Sequence, residues 1–484
     1  MNKELRRVSV LVVMMFLALF ASSTIIQVFQ QPNLTADGRN TRVFYKSFKT
    51  ERGEILVDGE AVATSVKIDG RYNYQRVYSN GPLYSTVTGF FTVLPSTGGL
   101  ESHLNSYLSG NSNAQFLDRL NAILTGQDPQ GSSVELTIDP VVQQAAWDAL
   151  GDYTGAVVAI DPKTGAILAL VSKPTYDPNA LAVLDGTQVV NTYNAMDADP
   201  ATPLIDRGIA GDLNPPGSTF KLVVASAALE SGRYTADSEF PNPTSLQLPQ
   251  SDSVIHNSGD SDCGGAPNAS IATALRLSCN IPFAQLGAEL GYQTIANQAA
   301  KFGFGSSIKI PMASTPSVYP QTASQAEQML SSFGQASVRV SPLQMAMVSA
   351  ALANGGTLMS PNVVEGIVAP DLTPIQSFQP QVYSQAVSSA TAATMRDLMV
   401  ANVASGVASG ARISGVDVGG KTGTAENGPG EPYTLWFTGF APANDPQVAI
   451  AVVIEDGGGR GQSGFGNSLA APVAKKVMEA VLNR

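Results

Sequence analysis

Residues 215–230 read PPGSTFKLVVASAALE, and this stretch decides how the rest of the sequence is interpreted. Two prolines and a glycine form a rigid turn, and the apolar run after them predicts a helix that ends near Gly232. Ser218 begins that helix, and Lys221, three positions later, lies on the same face. An amine beside a hydroxyl, at a helix N-terminus whose free N–H groups favour negative charge, suits a nucleophilic serine.

Two further short motifs follow along the chain. Ser278-Cys279-Asn280 comes directly after the helical stretch IATALRL, and Lys421-Thr422-Gly423-Thr424 precedes the strand-like YTLWFTGFAP. A strand edge at the second motif can offer backbone hydrogen bonds to an extended peptide. Gly423 would let that peptide approach closely.

Each of these letter patterns also occurs elsewhere, so local context must choose among the copies. The other copies are Ser306–Lys309, Lys163–Gly165, Ser109–Asn111 and Ser360–Asn362. Ser306–Lys309 continues into Ile310-Pro311, which predicts a loop or the start of a strand. Lys163–Gly165 lies between two apolar runs, which predicts a hairpin turn. Ser109–Asn111 belongs to the small N-terminal region, and Ser360–Asn362 has a central proline that marks a loop. We therefore choose Ser218, Ser278 and Lys421, all within one predicted domain.

The composition excludes several other kinds of site. The chain has 484 residues, with 28 basic and 39 acidic side chains and a net charge of −11, which argues against nucleic acid as a partner. It contains two histidines, His103 and His256, and two cysteines, Cys263 and Cys279. A zinc site takes three or four ligands of these types, so such a metal site is nearly excluded. A Ser-His-Asp triad would have to use one of the two imidazoles.

The first thirty residues predict a membrane anchor. Residues 8–26 read VSVLVVMMFLALFASSTII, and at ~1.5 Å per residue a helix of about 19 residues reaches about 28 Å, close to the ~30 Å hydrocarbon core of a bilayer. Basic residues before this run predict a cytoplasmic N-terminus and an extracytoplasmic remainder. A cleaved signal peptide, with Ala21 and Ser23 at its cleavage site, is the alternative. We favour an uncleaved single-pass anchor because the apolar run is longer than is usual in a signal peptide.

The sequence pattern changes near residue 150. Before it, short alternating or aromatic runs predict a small, mostly β region: RVFYKSF, EILVDGEAVATSVKI, YNYQRVY and TVTGFFTV. Two helical stretches follow, at residues 101–108 and 115–124. VELTIDPVVQQAAWDAL then predicts a strand, a turn at Asp139-Pro140 and a helix. From Gly155 onward, longer helices and apolar strands follow one another, so we predict a second, larger domain.

Several stretches resemble the penicillin-binding proteins of the monofunctional class B type. They are RGEILVDGEAVA, TIDPVVQQAAWDAL, GAVVAIDPKTGAILALVSKPTYDPN, PPGSTFK, GQASVRVSPLQMAMVSAALANGG and VGGKTGTAE. Ser-x-x-Lys, Ser-x-Asn and Lys-Thr-Gly are also the motif set that these proteins share with β-lactamases. The chain is most similar to a short actinobacterial branch of the class. Its departures, at residues 337–342, lie outside the motifs.

The resemblance implies an α+β fold. A penicillin-binding/β-lactamase-like transpeptidase domain, in which an antiparallel sheet with flanking helices adjoins an all-helical lobe, would stand on a small, mostly β pedestal with a single N-terminal transmembrane helix. The implied divisions are a cytoplasmic tail at 1–7, an anchor at 8–28, a pedestal or dimerisation domain at 29–135 and the transpeptidase domain at 136–484.

The resemblance also implies a D,D-transpeptidase that cross-links peptidoglycan stem peptides ending in D-Ala-D-Ala, through a serine acyl-enzyme, in cell wall synthesis during growth and division. It implies no cofactor or metal, acylation by β-lactams, and partners among membrane-embedded glycan polymerases and divisome or elongasome proteins. The implied catalytic residues are Ser218 as nucleophile, Lys221 as its base, Ser278 as proton relay, Asn280 as the group that orients Lys221, and Lys421 as a positive charge. The implied substrate-binding residues are Thr422, Gly423 and Thr424, and the backbone N–H groups of Ser218 and Thr424 would form the oxyanion hole.

Three other functions stay open at this point. A D,D-carboxypeptidase would pass the acyl group to water, a β-lactam-binding division scaffold would turn over little, and a β-lactamase, which needs neither pedestal nor anchor, is a distant third. The two cysteines also leave a choice between a Cys263–Cys279 disulfide and two buried thiols. An extracytoplasmic location favours the disulfide.

Overall fold

A computed structural model describes residues 2–30, 48–94, 97–115, 125–126, 128, 130–211, 213–257, 262–320 and 324–484. Within these residues the helices, in chain order, are α1 (Asn2–Thr24), α2 (Gly81–Thr88), α3 (Gly99–His103), α4 (Asn105–Leu108), α5 (Pro140–Leu150), α6 (Gly186–Asp197), α7 (Lys221–Glu230), α8 (Ile271–Leu277), α9 (Ile281–Leu290), α10 (Tyr292–Lys301), α11 (Gln325–Ser331), α12 (Pro342–Ala353), α13 (Ser389–Ser405) and α14 (Ala470–Leu482).

The strands, named in the same way, form two main sheets and three short ribbons. They are β1 (Ile55–Val57), β2 (Glu60–Lys67), β3 (Tyr74–Tyr78), β4 (Ser133–Leu136), β5 (Gly155–Ile160), β6 (Ile167–Lys173), β7 (Glu239–Pro241), β8 (Ser245–Gln247), β9 (Val254–His256), β10 (Asn268–Ser270), β11 (Thr357–Met359), β12 (Val364–Val368), β13 (Pro374–Ser377), β14 (Val382–Gln385), β15 (Gly419–Ala425), β16 (Thr434–Ala441) and β17 (Val448–Ile454).

The larger domain is built around a five-stranded antiparallel sheet of order β15-β16-β17-β5-β6. Its central strands are buried along their whole length, because helices cover both faces. Val157 and Ala159 of β5 belong to a core shared with α5 and α14, whereas Ala156 and Val158 belong to a core shared with α12. This alternation is the period-2 pattern of a sheet covered on both sides. The strand order leaves β15, which carries the Lys-Thr-Gly motif, at one edge of the sheet.

The helical lobe packs around α7, the helix that the opening stretch of sequence predicts. Leu222 to Ala225 are completely buried, and α7 contacts α9, α10 and α13. Because α7 is apolar on all sides, its first turn is held firmly at the junction between the lobe and the sheet. The expected α+β architecture, with an antiparallel sheet and an all-helical lobe, is confirmed.

The smaller sheet has six strands in the order β13-β12-β4-β1-β2-β3. The prediction of strands around EILVDGEAVATSVKI, YNYQRVY and VELTI agrees with β1 to β4. β12 and β13, however, come from residues 364–377, far beyond the predicted boundary at 135/136, and β12 pairs antiparallel with β4. The pedestal sheet is therefore completed by the larger domain.

One segment of the predicted β region is a helix instead. The prediction of a strand at TVTGFFTV (residues 86–93) is wrong for its first three residues, which belong to α2, with Pro82 in the first turn of this helix and Gly89 at its C-terminal end. In the rest of the run Phe91 forms only an isolated β-bridge, with Thr97. Leu83, Tyr84 and Val87 are buried on one face of α2, a spacing that the local alternation of apolar letters conceals. The predicted helix at 101–108 is present as α3 and α4. Most of the run at 42–48, which was predicted to belong to the β region, and most of the predicted helix at 115–124 lie outside the described residues.

The N-terminal helix is long and apolar enough to cross a membrane. The candidate span is Lys3–Gln27, with a mean hydropathy of 2.4, and none of it is buried against the rest of the protein. A buried core helix would be covered by protein, so this exposure fits an anchor surrounded by lipid.

Candidate active site

Ser218 lies on a tight turn that leads into α7. Residues Gly217–Phe220 form a single 3-10 turn, and Lys221 begins the α-helix. Ser218 is partly exposed, whereas Lys221 is fully buried. The N–H groups of a first helical turn have no partner within the helix, so this turn presents donors next to the serine hydroxyl.

Three contacts hold this turn in place. The indole Nε1 of Trp436 donates a hydrogen bond to Pro215 O over 2.9 Å, and Gly217 N donates to Gly334 O over 3.0 Å. On the third side the turn lies against β15, where a Cβ added to Gly423 would lie 2.6 Å from Pro216 O. The missing side chain of Gly423 therefore makes room for the turn that carries Ser218, a reason that the sequence interpretation, which gave the space to a bound peptide, did not anticipate.

Ser278-Cys279-Asn280 connects α8 to α9, as the sequence predicts. Ser278 caps α8 in the left-handed region, with φ of 63°, which is uncommon for a residue other than glycine. Cys279 is joined to Cys263 by a disulfide, with Cα atoms 5.7 Å apart. The bridge ties the middle residue of the motif to a neighbouring loop.

The Lys221 ammonium group faces this segment. Lys221 Nζ donates hydrogen bonds to Ser278 O over 2.8 Å and to Asn280 Oδ1 over 2.9 Å, and a longer contact of 3.4 Å reaches Ser278 Oγ. Within the described part of the chain, none of its hydrogen bonds goes to Ser218. The structure thus brings Lys221, Ser278 and Asn280 together directly, and places Ser218 one helical turn away on the same face.

Lys421 approaches Ser278 from the opposite side. It is fully buried on the edge strand β15, and its Nζ donates to Ser278 Oγ over 2.9 Å and to Thr422 O over 2.9 Å. Two lysine amines therefore converge on one serine hydroxyl. Since Ser278 Oγ accepts from Lys421, its own hydroxyl proton is left available for donation.

Both lysines lie in an environment that disfavours their charged forms. Burial lowers the pKa of Lys221 well below its ordinary value, and the neighbouring Lys421 charge lowers this pKa further. Burial alone lowers the pKa of Lys421 to about 7. Because the Lys421 charge bears on Lys221, the pair shares one proton most stably when Lys421 carries it and Lys221 is the neutral amine.

Thr422 and Thr424 lie on the other face of β15 from Lys421, as alternation along a strand requires. The Thr422 hydroxyl donates to Val407 O at 3.5 Å, and the Thr424 hydroxyl accepts from Gly466 N at 3.3 Å. Both contacts are at the long end of the range for hydrogen bonds, so neither hydroxyl is firmly engaged.

The rejected motif copies lie elsewhere, as their context predicts. Lys163–Gly165 forms the turn between β5 and β6, where Lys163 pairs with Asp445 on the surface. Ser306–Lys309 has no regular helix or strand, and Ser360–Asn362 lies between β11 and β12.

Two buried asparagines near the site carry no motif. Asn257 Oδ1 accepts hydrogen bonds from the backbone N–H groups of Asn280 and Ile281, and Asn242 in turn accepts from Asn257 Nδ2. No spacing in the sequence marks either residue, because they precede the Ser-x-Asn motif by a stretch of loops and short strands. Trp436, which the sequence suggests is core or cleft wall, is core and also tethers the Ser218 turn.

Comparison with known proteins identifies the family to which this site belongs. Residues 155–479 match the penicillin binding protein transpeptidase domain, and residues 52–134 match the penicillin binding protein A dimerisation domain. The chain belongs to the penicillin-binding protein transpeptidase family.

This penicillin-binding protein is 40% identical over 491 residues to the peptidoglycan D,D-transpeptidase PbpA of Mycolicibacterium smegmatis, an alignment that covers 100% of this chain and 99% of the relative. The corresponding protein of Mycobacterium tuberculosis is 39% identical over the same length, with the same coverage. The expected resemblance to an actinobacterial branch of class B is confirmed.

Solved structures agree with this assignment. The ceftriaxone acyl-enzyme of penicillin-binding protein A from M. tuberculosis superposes with a TM-score of 0.87 at 38% identity, and covers 90% of this chain and 100% of that one. The penicillin G acyl-enzyme of the same protein gives a TM-score of 0.84 at 38% identity and equal coverage. Relatives of this penicillin-binding protein therefore form covalent adducts with β-lactams on the fold that it shares.

Proposed function

We propose that this protein is a peptidoglycan D,D-transpeptidase that cross-links stem peptides through an acyl-enzyme on Ser218 and is inhibited by β-lactams. One observation carries the proposal. Lys221 and Lys421 converge on the Ser278 hydroxyl beside the exposed turn of Ser218, in a chain that matches β-lactam-acylated relatives over nearly its whole length.

The first step transfers a proton from Ser218 to Lys221. A neutral amine has two N–H bonds and one lone pair, and Ser278 O and Asn280 Oδ1 accept the two N–H bonds. The lone pair is left for the Ser218 proton while Ser218 Oγ bonds to the carbonyl carbon of the penultimate D-Ala. The carbonyl oxygen becomes an oxyanion, which the backbone N–H groups of Ser218 and Thr424 bind.

The second step breaks the peptide bond. When the oxyanion collapses, the C–N bond to the terminal D-Ala breaks, and the leaving nitrogen takes a proton from the Ser278 hydroxyl, which regains one from Lys221. Lys421 donates to Ser278 Oγ and so leaves the Ser278 proton directed at the substrate. An amine of a second stem peptide then attacks the ester, Ser218 recovers its proton and a cross-link forms.

The edge strand β15 binds the donor peptide. An extended peptide can add to its free edge by backbone hydrogen bonds, with its terminal carboxylate beside Thr422 and Thr424 and within the positive potential of Lys421. The weakly engaged hydroxyls of Thr422 and Thr424 rotate to donate to that carboxylate. Gly423 contributes by admitting the Ser218 turn rather than by admitting the peptide.

The location and partners of the protein follow from the same assignment. The basic residues Lys3, Arg6 and Arg7 lie in the first two turns of the apolar helix, before its uncharged run, which supports a cytoplasmic N-terminus and an extracytoplasmic catalytic domain. The pedestal at 29–135 then holds the transpeptidase domain at 136–484 away from the bilayer. A membrane-embedded glycan polymerase of the divisome or elongasome supplies the strands to be cross-linked.

Covalent labelling with a fluorescent penicillin tests the nucleophile. Full-length protein in detergent is compared with Ser218→Ala and with Ser306→Ala, the serine of the rejected Ser-x-x-Lys copy. Stable label on the native protein and on Ser306→Ala, with none on Ser218→Ala, is the expected result. Rapid loss of label with hydrolysed penicillin would indicate a β-lactamase, and label on Ser218→Ala would reject the assigned nucleophile.

Turnover on glycan strands with pentapeptide stems distinguishes the acceptors. Cross-linked dimers with release of D-Ala are expected, and uncrosslinked tetrapeptides alone would indicate a carboxypeptidase. A labelled protein that releases no D-Ala would be a scaffold with little turnover.

A further inference from the structure

The Ser278–Asn280 segment depends on support from outside its own element. Ser278 lies in the left-handed region at the end of α8, and Asn280 immediately precedes α9. A non-glycine residue with such a φ persists only when its surroundings hold it. The first N–H groups of α9 also need acceptors, because a helix does not supply them.

Asn257 supplies these acceptors from the loop after β9. Its Oδ1 accepts from Asn280 N over 2.9 Å and from Ile281 N over 3.0 Å. The side chain is 2% exposed, so water does not compete for these hydrogen bonds. A single side-chain oxygen therefore fixes the backbone at the start of α9.

The other half of the Asn257 amide is fixed as well. Its Nδ2 donates to Asn242 Oδ1 over 3.0 Å, and Asn242, which is also buried, donates to Asp262 O over 3.0 Å and to Ala266 O over 3.2 Å. Since both ends of the amide have partners, the Asn257 oxygen cannot turn away from the motif.

The residue before Asn257 holds the side chain of Asn280. Asn280 Nδ2 donates to His256 O over 2.9 Å, which leaves Asn280 Oδ1 to accept from Lys221 Nζ. Two neighbouring residues thus hold Asn280. The side chain of Asn257 fixes its backbone, and the backbone carbonyl of His256 fixes its side chain. Lys221 in turn takes its orientation from Asn280.

We infer that Asn257 is a positioning residue for acyl transfer. Its amide holds Asn280 in the one orientation that accepts an N–H of Lys221, and so aims the Lys221 lone pair at the Ser218 proton. Among the described residues, Asn257 makes no hydrogen bond to Ser218, Lys221 or Lys421, so it acts through the backbone of Asn280 and Ile281. This inference rests on the proposed function, because it assigns a role in the acylation of Ser218.

The test is the rate of acylation of the full-length protein by a fluorescent penicillin, measured against penicillin concentration to separate the limiting rate constant k2 from the binding constant K. Asn257→Leu keeps the shape of the side chain but removes both hydrogen bonds to the motif. Asn257→Asp keeps the acceptor oxygen. Asn179→Leu is the matched control, because Asn179 makes two comparable hydrogen bonds to the backbone of Tyr78, away from the site.

For Asn257→Leu we expect k2 to fall at least tenfold, with K changed less than threefold. The k2 of Asn257→Asp should be at least threefold higher than that of Asn257→Leu. Asn179→Leu should keep the native k2. A native k2 in Asn257→Leu, or a loss confined to K, would overturn the inference. If Asn257→Leu does not fold, as judged by its thermal midpoint, Asn257→Ala, which also removes the acceptor oxygen, takes its place: a lower k2 at unchanged K is expected, and a native k2 would overturn the inference. Failure of the native protein to label would instead reject the proposed function itself.

Discussion

At the scale of single residues, Lys221 and Lys421 converge on the buried Ser278 hydroxyl, where burial disfavours a charge on both amines at once. Burial and the neighbouring cation both lower the pKa of Lys221, whereas the pKa of Lys421 is lowered by burial alone. The neighbouring cation therefore helps to keep the Lys221 amine neutral, as the base role that we propose for it requires.

Lys421→Met should raise the pKa of Lys221, because the change removes the positive charge that disfavours the Lys221 ammonium. Acylation needs the neutral amine, so the acid limb of k2/K against pH should move to higher pH, and the rate at pH 7 should fall at least tenfold. Acylation by a fluorescent penicillin from pH 5 to 10 measures this. Lys309→Met is the control, and an acid limb that stays in place or moves to lower pH would contradict the prediction.

Asp206, which lies away from the site, is a further buried residue whose pKa is shifted. Its Oδ1 accepts from Gly208 N, its Oδ2 is buried without a partner, and burial raises the pKa of Asp206 to about 7. A folded-state pKa above the unfolded value of ~3.9 means that the native state prefers the protonated acid. The contribution of Asp206 to stability is therefore fully present below about pH 4 and is lost as the pH rises toward 7.

Asp206→Asn, which stays neutral, should gain stability over the native protein as the pH rises. The difference in the free energy of unfolding should grow by about 2–4 kcal/mol between pH 4 and pH 8 and then level off. Thermal midpoints of the two proteins across this range measure it. A difference that does not depend on pH would show that Asp206 is ionised throughout.

At the scale of elements, the approach of β15 to the Ser218 turn decides whether the site is assembled. Gly423 lets the strand lie against Pro216, and Trp436 on the neighbouring strand β16 holds Pro215 from the same side. The nucleophile is thus positioned by the sheet edge as much as by its own helix.

Gly423→Ala should slow acylation by about 10- to 100-fold, since a Cβ there must push the Ser218 turn out of place. Its nearest neighbours, Pro216 O and Trp436 Cβ, are main-chain or core atoms that cannot move aside easily. The acylation rate with a fluorescent penicillin measures the effect. Gly186→Ala, where an added Cβ meets only ordinary contacts at 3.8 Å, should keep the native rate, and equal rates in both variants would refute the argument.

At the scale of the whole molecule, the pedestal and the transpeptidase domain share a sheet. β12 pairs with β4, and Val364 and Ile367 of β12 are buried in the same core as Val134 and Leu136 of β4. The two parts of the chain therefore depend on each other for their stability.

Residues 29–135 expressed alone should not unfold cooperatively, because β4 would lose its partner on one side and expose its apolar residues. Circular dichroism against temperature checks this. The same fragment with residues 362–378 appended through a flexible linker should show a sharper transition. A cooperative transition in the unmodified fragment would contradict the prediction.

Much of the site was predictable from the sequence because its motifs are local. A turn of Pro-Pro-Gly before an apolar run predicts the helix start near Ser218, and the context of each motif selected the copies that the structure brings together. The C-terminal end of the helix at residues 81–88 was predicted wrongly as part of a β run at 86–93, because a short stretch with mixed apolar letters fits a strand as well as a helix. Only packing of Leu83, Tyr84 and Val87 against the core selects the helix.

The sequence by itself determined the family and the candidate site residues, because hydroxyls, amines and helix-start signals are properties of short segments. Only the tertiary structure decided how these residues meet, since that depends on contacts between distant segments, such as the one between Thr137 and Asn362, 225 positions apart. Three further contacts join segments that are distant in the sequence. β12 pairs with β4 in the pedestal sheet, Gly423 lies against Pro216, and Asn257 accepts a hydrogen bond from Asn280. The closing of such long loops leaves no local trace in the sequence, because it is stabilised by burial and hydrogen bonding that exist only once the chain has folded.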